Sequence, residues 1–313
     1  MATYLVTCAT GQQGRSVVKH LLTAGVKVHA VVRNVRSERA LHLKRQGVVL
    51  FEGDNDSFGV FKEAALGCKG IYLNLQPSPT DQNSQQRQIK GIVHVCKEVG
   101  LETIVVSTAY FTNDRSKWDN PQGERIGVRG YYLAKAEMEK VVREAGVKHY
   151  TILRPAWFHA NYLLPYSVWH FPGLSTSGEL VHSYEKGVKM PHIDEEDIAK
   201  FGVAALLDPA KFGGQEIELG NENLTVEDVA DSLSKAGGSG HHISVRKRTR
   251  EEINLAVNVI PTQPFQLWAN AVDITIDGQA IQKKYGIRLT TFQEYLAKEK
   301  VRLLESLPSP TER

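Results

Sequence analysis

The chain has 313 residues, of which 42% are hydrophobic and 23% charged, and its formal net charge is +3. That length can bury a full core, and the small charge excess argues against a nucleic-acid or membrane partner. No apolar run approaches the roughly 20 residues of a membrane span, and no signal-like segment precedes the first expected strand. The cysteines, Cys8, Cys68 and Cys96, have no pairing or metal-binding spacing, which is typical of a reducing compartment and predicts a cytoplasmic location.

The chain opens with an expected strand over residues 4–7, a glycine-containing turn and a helix over residues 16–24. Gly11 lets backbone N–H groups approach a pyrophosphate, and Gly14 lets the helix pack close to the strand. The helix N-terminus adds positive partial charge. We therefore predict a dinucleotide site in this loop, formed by Thr10, Gly11, Gln12, Gln13 and Gly14.

The residues after the second expected strand, residues 28–32, predict which dinucleotide binds. An acid there would bind a ribose 2′-OH, but this chain has Arg33, then Arg36 and Arg39, and no acid before Glu38. Guanidinium groups pair well with phosphate, so the prediction is NADP(H), with Arg33 on the 2′-phosphate. The role of Arg36 stays open, and Arg39 is expected to be a solvated helix charge.

Short strands and amphipathic helices then alternate. Strands are expected at residues 48–51, 70–75, 103–107 and 150–153, and helices at 37–46, 58–65, 82–99 and 128–145. This alternation predicts a doubly wound parallel sheet of the Rossmann type, in which ligands lie at the carboxyl ends of the strands. Asn74 and Gln76 lie at such an end of the fourth strand and are candidate cofactor contacts. That they only form a turn is an equally weighted alternative. Asp54 either caps the next helix or contacts the adenine end.

The alternation loosens after Pro155. Residues 157–180 resemble an aromatic loop, followed by a helix at 195–207, a strand at 216–219, a helix at 225–236 and a final helix at 291–307. We predict an NADP(H)-binding Rossmann domain over residues 1–155, with later elements returning to it. A substrate-binding cap is expected over residues 156–307, and a disordered tail over 308–313.

These features together resemble the NmrA-like branch of the atypical short-chain dehydrogenases/reductases. The likeness rests on the turn at residues 9–14, Gly53-Asp54, the acid-rich helix beginning at Lys135, the Thr151-Ile152-Leu153-Arg154-Pro155 strand and the acidic helix start at residues 194–199. The resemblance implies a Rossmann domain with a small C-terminal substrate domain, with Lys135 and Pro155 at the cofactor. It also implies either reduction of small molecules or regulatory NADP(H) binding. The aromatic cap is similar to reductase-like members from fungal secondary metabolism.

Two positions depart from the family pattern. Cys8 stands where the family usually has glycine, which is tolerable only with a negative φ, since a left-handed cysteine is costly. Tyr131 stands where the family often has histidine, four residues before Lys135. The pair Tyr131 and Lys135 therefore has the spacing of the classical dehydrogenase pair.

That spacing places both side chains on one face of a helix. An ammonium near a phenol lowers the pKa of the tyrosine toward a range useful for proton transfer. Ser107 or Thr108, at the end of the fifth strand, is expected to polarise a substrate carbonyl or imine. The alternative is that Tyr131 only packs in the core, with Tyr132 competing for the inward direction.

Aromatic side chains in the segments 108–126 and 156–172 are expected to line an apolar substrate pocket. The candidates are Tyr110, Phe111, Trp118, Trp157, Phe158 and Tyr162. No metal site is expected, since His241-His242 lacks neighbouring ligands. The sequence therefore predicts an NADP(H)-dependent reductase of a carbonyl, enone or imine in a small apolar molecule. Two alternatives remain open: a redox sensor that acts through a protein partner, and a non-redox cyclase or condensation enzyme that retains the cofactor.

Overall fold

The computed structural model describes residues 1–78, 80–256 and 259–309. The strands are β1 (Thr3–Val6), β2 (Lys27–Val32), β3 (Val49–Glu52), β4 (Gly70–Asn74), β5 (Thr103–Ser107), β6 (His149–Pro155), β7 (Trp157–Phe158), β8 (Glu179–His182), β9 (Met190–Ile193), β10 (Glu216–Leu219), β11 (Glu222–Leu224) and β12 (Ser244–Lys247). The helices are α1 (Gln12–Thr23), α2 (Glu38–Arg45), α3 (Phe58–Ala65), α4 (Ser84–Glu98), α5 (Pro121–Ile126), α6 (Arg129–Arg143), α7 (Ser167–His170), α8 (Leu174–Ser177), α9 (Glu195–Leu207), α10 (Pro209–Phe212), α11 (Val226–Gly237), α12 (Arg250–Ala256), α13 (Gln263–Ala269), α14 (Gly278–Tyr285), α15 (Phe292–Lys298) and α16 (Lys300–Ser306). Each strand and helix predicted for the first half is present.

The described chain divides into two compact units. Unit 1 comprises Met1–Asn113, Tyr132–Pro155 and Glu195–Glu218. Its sheet has the strand order β10-β6-β5-β4-β1-β2-β3, and β1 to β6 pair in parallel. The predicted doubly wound parallel sheet is thus confirmed.

The central strands of unit 1 are buried on both faces. Every residue of β4 and β5 is buried, which is why these strands read as continuous apolar runs rather than alternating ones. On one face, α3 and α4 contribute Phe61, Ile89 and Ile92 to the core. On the other, α1 packs against α9. The carboxyl ends of the strands are consequently the edge at which polar side chains and backbone groups are available.

Unit 2 comprises Asp114–Tyr131, Ala156–Asp194 and Leu219–Arg313. It contains the three-stranded sheet β11-β9-β7 and the parallel pair β12-β8. The helix expected at 225–236 is present as α11, which begins with a capping box formed by Thr225 and Asp228. Within the described residues, no helix is both long enough and apolar enough to cross a membrane.

Two expectations for the second half are wrong. The segment expected to be an aromatic loop contains β7, α7, α8 and the start of β8, each only two to four residues long and too short for a periodic pattern. The single helix expected at 291–307 is two helices, α15 and α16, separated at Glu299. Residues 310–313 of the expected tail lie outside the described residues.

Candidate functional site

The loop between β1 and α1 brings the helix N-terminus very close to the strand end. The N–H of Gly11 donates to the carbonyl oxygen of Cys8 at 2.9 Å. A Cβ placed on Gly14 would lie 2.2 Å from that same oxygen and 2.8 Å from the Cα of Ala9. Only glycine tolerates such an approach, so this is the packing that the sequence predicts for Gly14.

The residues of this loop fit a pyrophosphate. The N-cap residue of α1 is Gly11, and no side chain caps this end of the helix, so its first N–H groups remain available to an anion. The Nε2 of Gln12 is buried without a hydrogen-bond partner among the described residues. Gln13 faces elsewhere, since its Oε1 accepts a 2.8 Å hydrogen bond from the Tyr72 hydroxyl and so ties the loop to β4.

The condition for placing cysteine at position 8 without strain, a negative φ, is not met. The φ of Cys8 is +49°, so this cysteine occupies the left-handed region that glycine adopts more easily, at a cost of roughly 1 kcal/mol. The turn geometry requires that conformation, whichever residue occupies the position. The strain is therefore the consequence of placing cysteine where the family usually has glycine.

Lys135, Arg33 and Cys8 come together in unit 1. Lys135 is 4% exposed, and its Nζ donates to the carbonyl oxygen of Leu75 at 3.3 Å. Burial lowers the pKa of Lys135 to about 8. Burial also raises the pKa of the Cys8 thiol, while a hydrogen bond from Asn55 and the charges of Arg33 and Lys135 act in the opposite direction. The strand ends thus gather two cationic side chains around the phosphate-binding loop.

A cleft of about 570 Å³ in unit 1 begins at Ala9 and Thr10 and continues along α1 and α2. Arg15 and Arg39 line it. Arg39, which the sequence analysis treats as a solvated helix charge, is thus beside the phosphate-binding loop. Arg33 is exposed at the end of β2.

The other predicted cofactor contacts form turns in this structure. Asp54 Oδ1 accepts hydrogen bonds from the Ser57 hydroxyl at 2.7 Å and the Asp56 N–H at 3.1 Å. Gln76 Nε2 donates to Asn74 Oδ1 at 3.4 Å. The carbonyl oxygen of Pro155 accepts from the Tyr110 N–H at 3.2 Å. These residues therefore shape the loops at the strand ends.

The expectation of a lowered Tyr131 pKa is wrong. Tyr131 belongs to unit 2, where its ring meets Phe265 edge-on with centroids 5.1 Å apart. Burial raises the pKa of Tyr131 to about 12, because the phenolate is disfavoured away from water. Near neutral pH, Lys135 is the better proton donor of the two.

The hydroxyls at the end of β5 have different surroundings. Thr108 Oγ1 donates its proton to Glu139 Oε1 at 2.8 Å, so in this arrangement the hydroxyl has no proton to offer a substrate. The Oγ of Ser107 is buried and faces the Tyr72 hydroxyl, whose pKa a hydrogen bond with Ser107 lowers against the larger, raising effect of burial. Of the two predicted candidates, Thr108 is paired with a carboxylate and Ser107 with a neutral phenol.

Sequence reasoning missed a buried charge network in unit 1. Arg154 is 1% exposed and forms a bidentate pair with Glu139 at 2.9 and 2.7 Å. It also contacts Glu216 and Glu218 of β10, and Arg143 pairs with both Glu139 and Glu216. Two features of the sequence could have indicated this network. One is an arginine within an apolar strand, and the other is a pair of acids at alternating positions of a second strand.

The aromatic candidates are mostly buried. In unit 1, Tyr110 is buried and Phe111 has a φ of +57°. In unit 2, Trp118 has no exposed surface, and the Trp157 ring meets His170 edge-on at 5.0 Å. Phe158, also in unit 2, is partly exposed.

Tyr162 is in a histidine-containing core that the sequence did not reveal. It stacks on Phe171, and its hydroxyl is 2.9 Å from His192 Nε2. His192 Nδ1 donates to the carbonyl oxygen of Met190 at 2.7 Å, so Nε2 is the acceptor in the neutral ring. No group of three or more metal-ligating side chains occurs among the described residues.

Comparison with known proteins agrees with this architecture. An NmrA-like family domain-containing oxidoreductase of Aspergillus japonicus is 30% identical over 162 residues, covering 50% of this chain and 47% of that protein. The chain thus spans about half the length of this curated relative. An NADPH-dependent quinone oxidoreductase of Escherichia coli complexed with NADPH has a TM-score of 0.75 at 20% identity, over 94% of this chain and 99% of that one.

A third similar protein is NmrA, described as a negative transcriptional regulator in complex with NADP. Its TM-score is 0.68 at 19% identity, over 94% of both chains. The family model itself matches residues 2–296, almost the whole chain. The chain therefore belongs to the NmrA-like family.

Proposed function

We propose that this chain is an NADP(H)-dependent oxidoreductase that reduces a carbonyl, enone or imine of a small apolar substrate. The observation that carries the proposal is the phosphate-binding loop, where glycine packing opens the N-terminus of α1 to an anion. Support comes from the relative named as an oxidoreductase and from the similar structures that are described with NADPH or NADP.

In this proposal the loop from Thr10 to Gly14 binds the pyrophosphate and Arg33 binds the 2′-phosphate. The bound cofactor supplies hydride. Lys135 holds the nicotinamide ribose and provides the proton, since its pKa of about 8 leaves it mostly charged near neutral pH yet able to release a proton. Ser107 is the proposed hydroxyl on the substrate oxygen or nitrogen.

The remaining candidate residues are proposed to act away from the proton transfer. Asp54, Asn74, Gln76 and Pro155 would shape the cofactor loops. Tyr110 and Phe111 are the proposed substrate contacts of unit 1, and the other aromatic candidates, Trp118, Trp157, Phe158 and Tyr162, pack within unit 2.

The deciding experiment offers quinones, enones and imines with NADPH carrying deuterium at the transferred position. Deuterium in the product, detected by mass spectrometry, is the expected result. Conversion without label would instead support the cyclase or condensation alternative.

A regulator is the second candidate, because one similar fold belongs to a negative transcriptional regulator. NADP(H) binding alone does not separate it from a reductase. NADPH binding measured by calorimetry, with no turnover of any compound in the panel, would favour the sensor.

We expect Arg33→Glu to weaken NADPH binding far more than NADH binding. The reversed charge meets the 2′-phosphate, which only NADPH carries, and loss of a charge-assisted contact predicts a loss of about tenfold to a hundredfold. Calorimetry with both nucleotides measures the difference. Arg39→Glu is the matched comparison from the cleft. A selective NADPH loss in that variant, with none in Arg33→Glu, would transfer the assignment to Arg39.

A further inference from the structure

The loop that follows β5 has a strained backbone and an unusual anchor. Phe111 has a φ of +57°, a conformation that a bulky side chain adopts only at a cost. Its N–H donates to Glu218 Oε2 at 2.8 Å. A carboxylate acceptor makes this bond stronger than an ordinary backbone bond. Glu218 thus offsets the strain of the residue that it holds.

The rest of the loop is hydrogen-bonded to β6 and α6. The N–H of Thr108 donates to the carbonyl oxygen of Leu153 at 2.8 Å, and that of Tyr110 donates to Pro155. The Thr108 hydroxyl donates to Glu139. Two carboxylates of the buried network, Glu139 and Glu218, therefore hold the two ends of the segment 108–111.

The network around Glu218 has an odd number of charges. Arg154 from β6 and Arg143 from α6 face three carboxylates: Glu139 from α6 and, from β10, Glu216 and Glu218 itself. With all three ionised the group carries one excess negative charge, and one added proton makes it neutral. Glu218 is the most weakly paired, at 3.4 Å from Arg154. Burial raises the pKa of Glu218 to about 7, against the opposing effects of Phe111 and Arg154.

We propose that Glu218 is a positioning residue that holds Phe111 in its left-handed conformation, and that protonation of Glu218 loosens the segment 108–111. A protonated carboxyl accepts a hydrogen bond more weakly than a carboxylate, so the anchor weakens as the pH falls. The effect on catalysis rests on the proposed function, in which Tyr110 and Phe111 contact the substrate. The anchoring of Phe111 by Glu218 does not depend on the proposed function.

The test follows the amide of Phe111 by NMR in protein labelled with ¹⁵N-phenylalanine, without nucleotide. The resonance is assigned from its absence in Phe111→Leu. We expect it to move downfield as the pH rises, with a midpoint near 7. Glu218→Gln should abolish this titration, because the side-chain amide still accepts the hydrogen bond but does not ionise.

Glu216→Gln is the matched control, since Glu216 shares the strand and the network but accepts its hydrogen bonds from Arg143 and Arg154. The Phe111 titration should shift to a lower midpoint in that variant, because two arginines then face two carboxylates and Glu218 stays ionised to a lower pH. In Glu218→Ala, exchange of the Phe111 amide with solvent should quicken by about tenfold to a hundredfold. If that variant does not fold, Glu218→Gln decides alone. An amide that does not titrate between pH 5.5 and 8.5 in the parent, whose titration survives in Glu218→Gln, or whose midpoint is unchanged in Glu216→Gln, would overturn the proposal. None of these outcomes depends on NADPH binding.

Discussion

Replacing Lys135 by methionine is expected to reduce turnover by about a hundredfold to ten-thousandfold, the usual cost of losing a positioned acid–base group. Methionine keeps most of the buried stem and removes the charge together with one 3.3 Å hydrogen bond to Leu75, so the fold should persist. The wild-type rate should also fall as the pH rises through about 8, because Lys135 then loses the proton it donates. Both are measured with the substrate found by deuterium transfer.

Two variants make that result specific. Lys140→Met lies on the same helix but at an exposed position, and it should turn over like the parent. Tyr131→Phe should retain near-normal activity, since burial keeps that phenol protonated and poorly acidic. A loss in Tyr131→Phe as large as in Lys135→Met would restore the classical tyrosine as the proton donor.

The parallel sheet and its first loop were predictable because their signals are local. Gly11 and Gly14 have a defined spacing after an apolar strand, and each strand of the first half is bounded by turn residues. The packing at Gly14 follows from that pattern and from the width of a helix. The position of Lys135 beside the loop required the family resemblance in addition, since it is more than 100 residues away in sequence.

The charge network was beyond prediction for the opposite reason. Arg154 meets Glu216 and Glu218 only because β10 lies beside β6, and strand order depends on contacts across the whole chain. The sign of φ at Cys8 could not be predicted, because the residue type favours a negative φ while the turn in this structure has a positive one. The conformational preference of a residue type is overridden where tertiary geometry requires a particular backbone conformation.

Replacing Gly14 by alanine is the second change with a large expected effect. The added Cβ would be 2.2 Å from the carbonyl oxygen and 2.6 Å from the carbonyl carbon of Cys8. Both contacts are with backbone atoms, so no side-chain rotation relieves them and α1 must shift away from β1. Such overpacking predicts a loss of about 3 kcal/mol in the free energy of unfolding. Denaturant titration measures it.

The same shift should remove the N–H groups of α1 from the pyrophosphate. We therefore expect NADPH affinity, by calorimetry, to fall by about tenfold to a hundredfold in Gly14→Ala. Cys8 offers an independent measure, because NADPH should protect its half-buried thiol from N-ethylmaleimide in the parent but not in the variant.

Gly59→Ala is the matched control for both measurements. Gly59 occupies a similar position in the first turn of α3, but a Cβ there would meet no atom within 4 Å. Its stability should stay within about 1 kcal/mol of the parent, and its NADPH affinity should be unchanged. Equal stability and equal affinity in Gly14→Ala and Gly59→Ala would mean that the close approach of α1 to Cys8 is not what forms the nucleotide site.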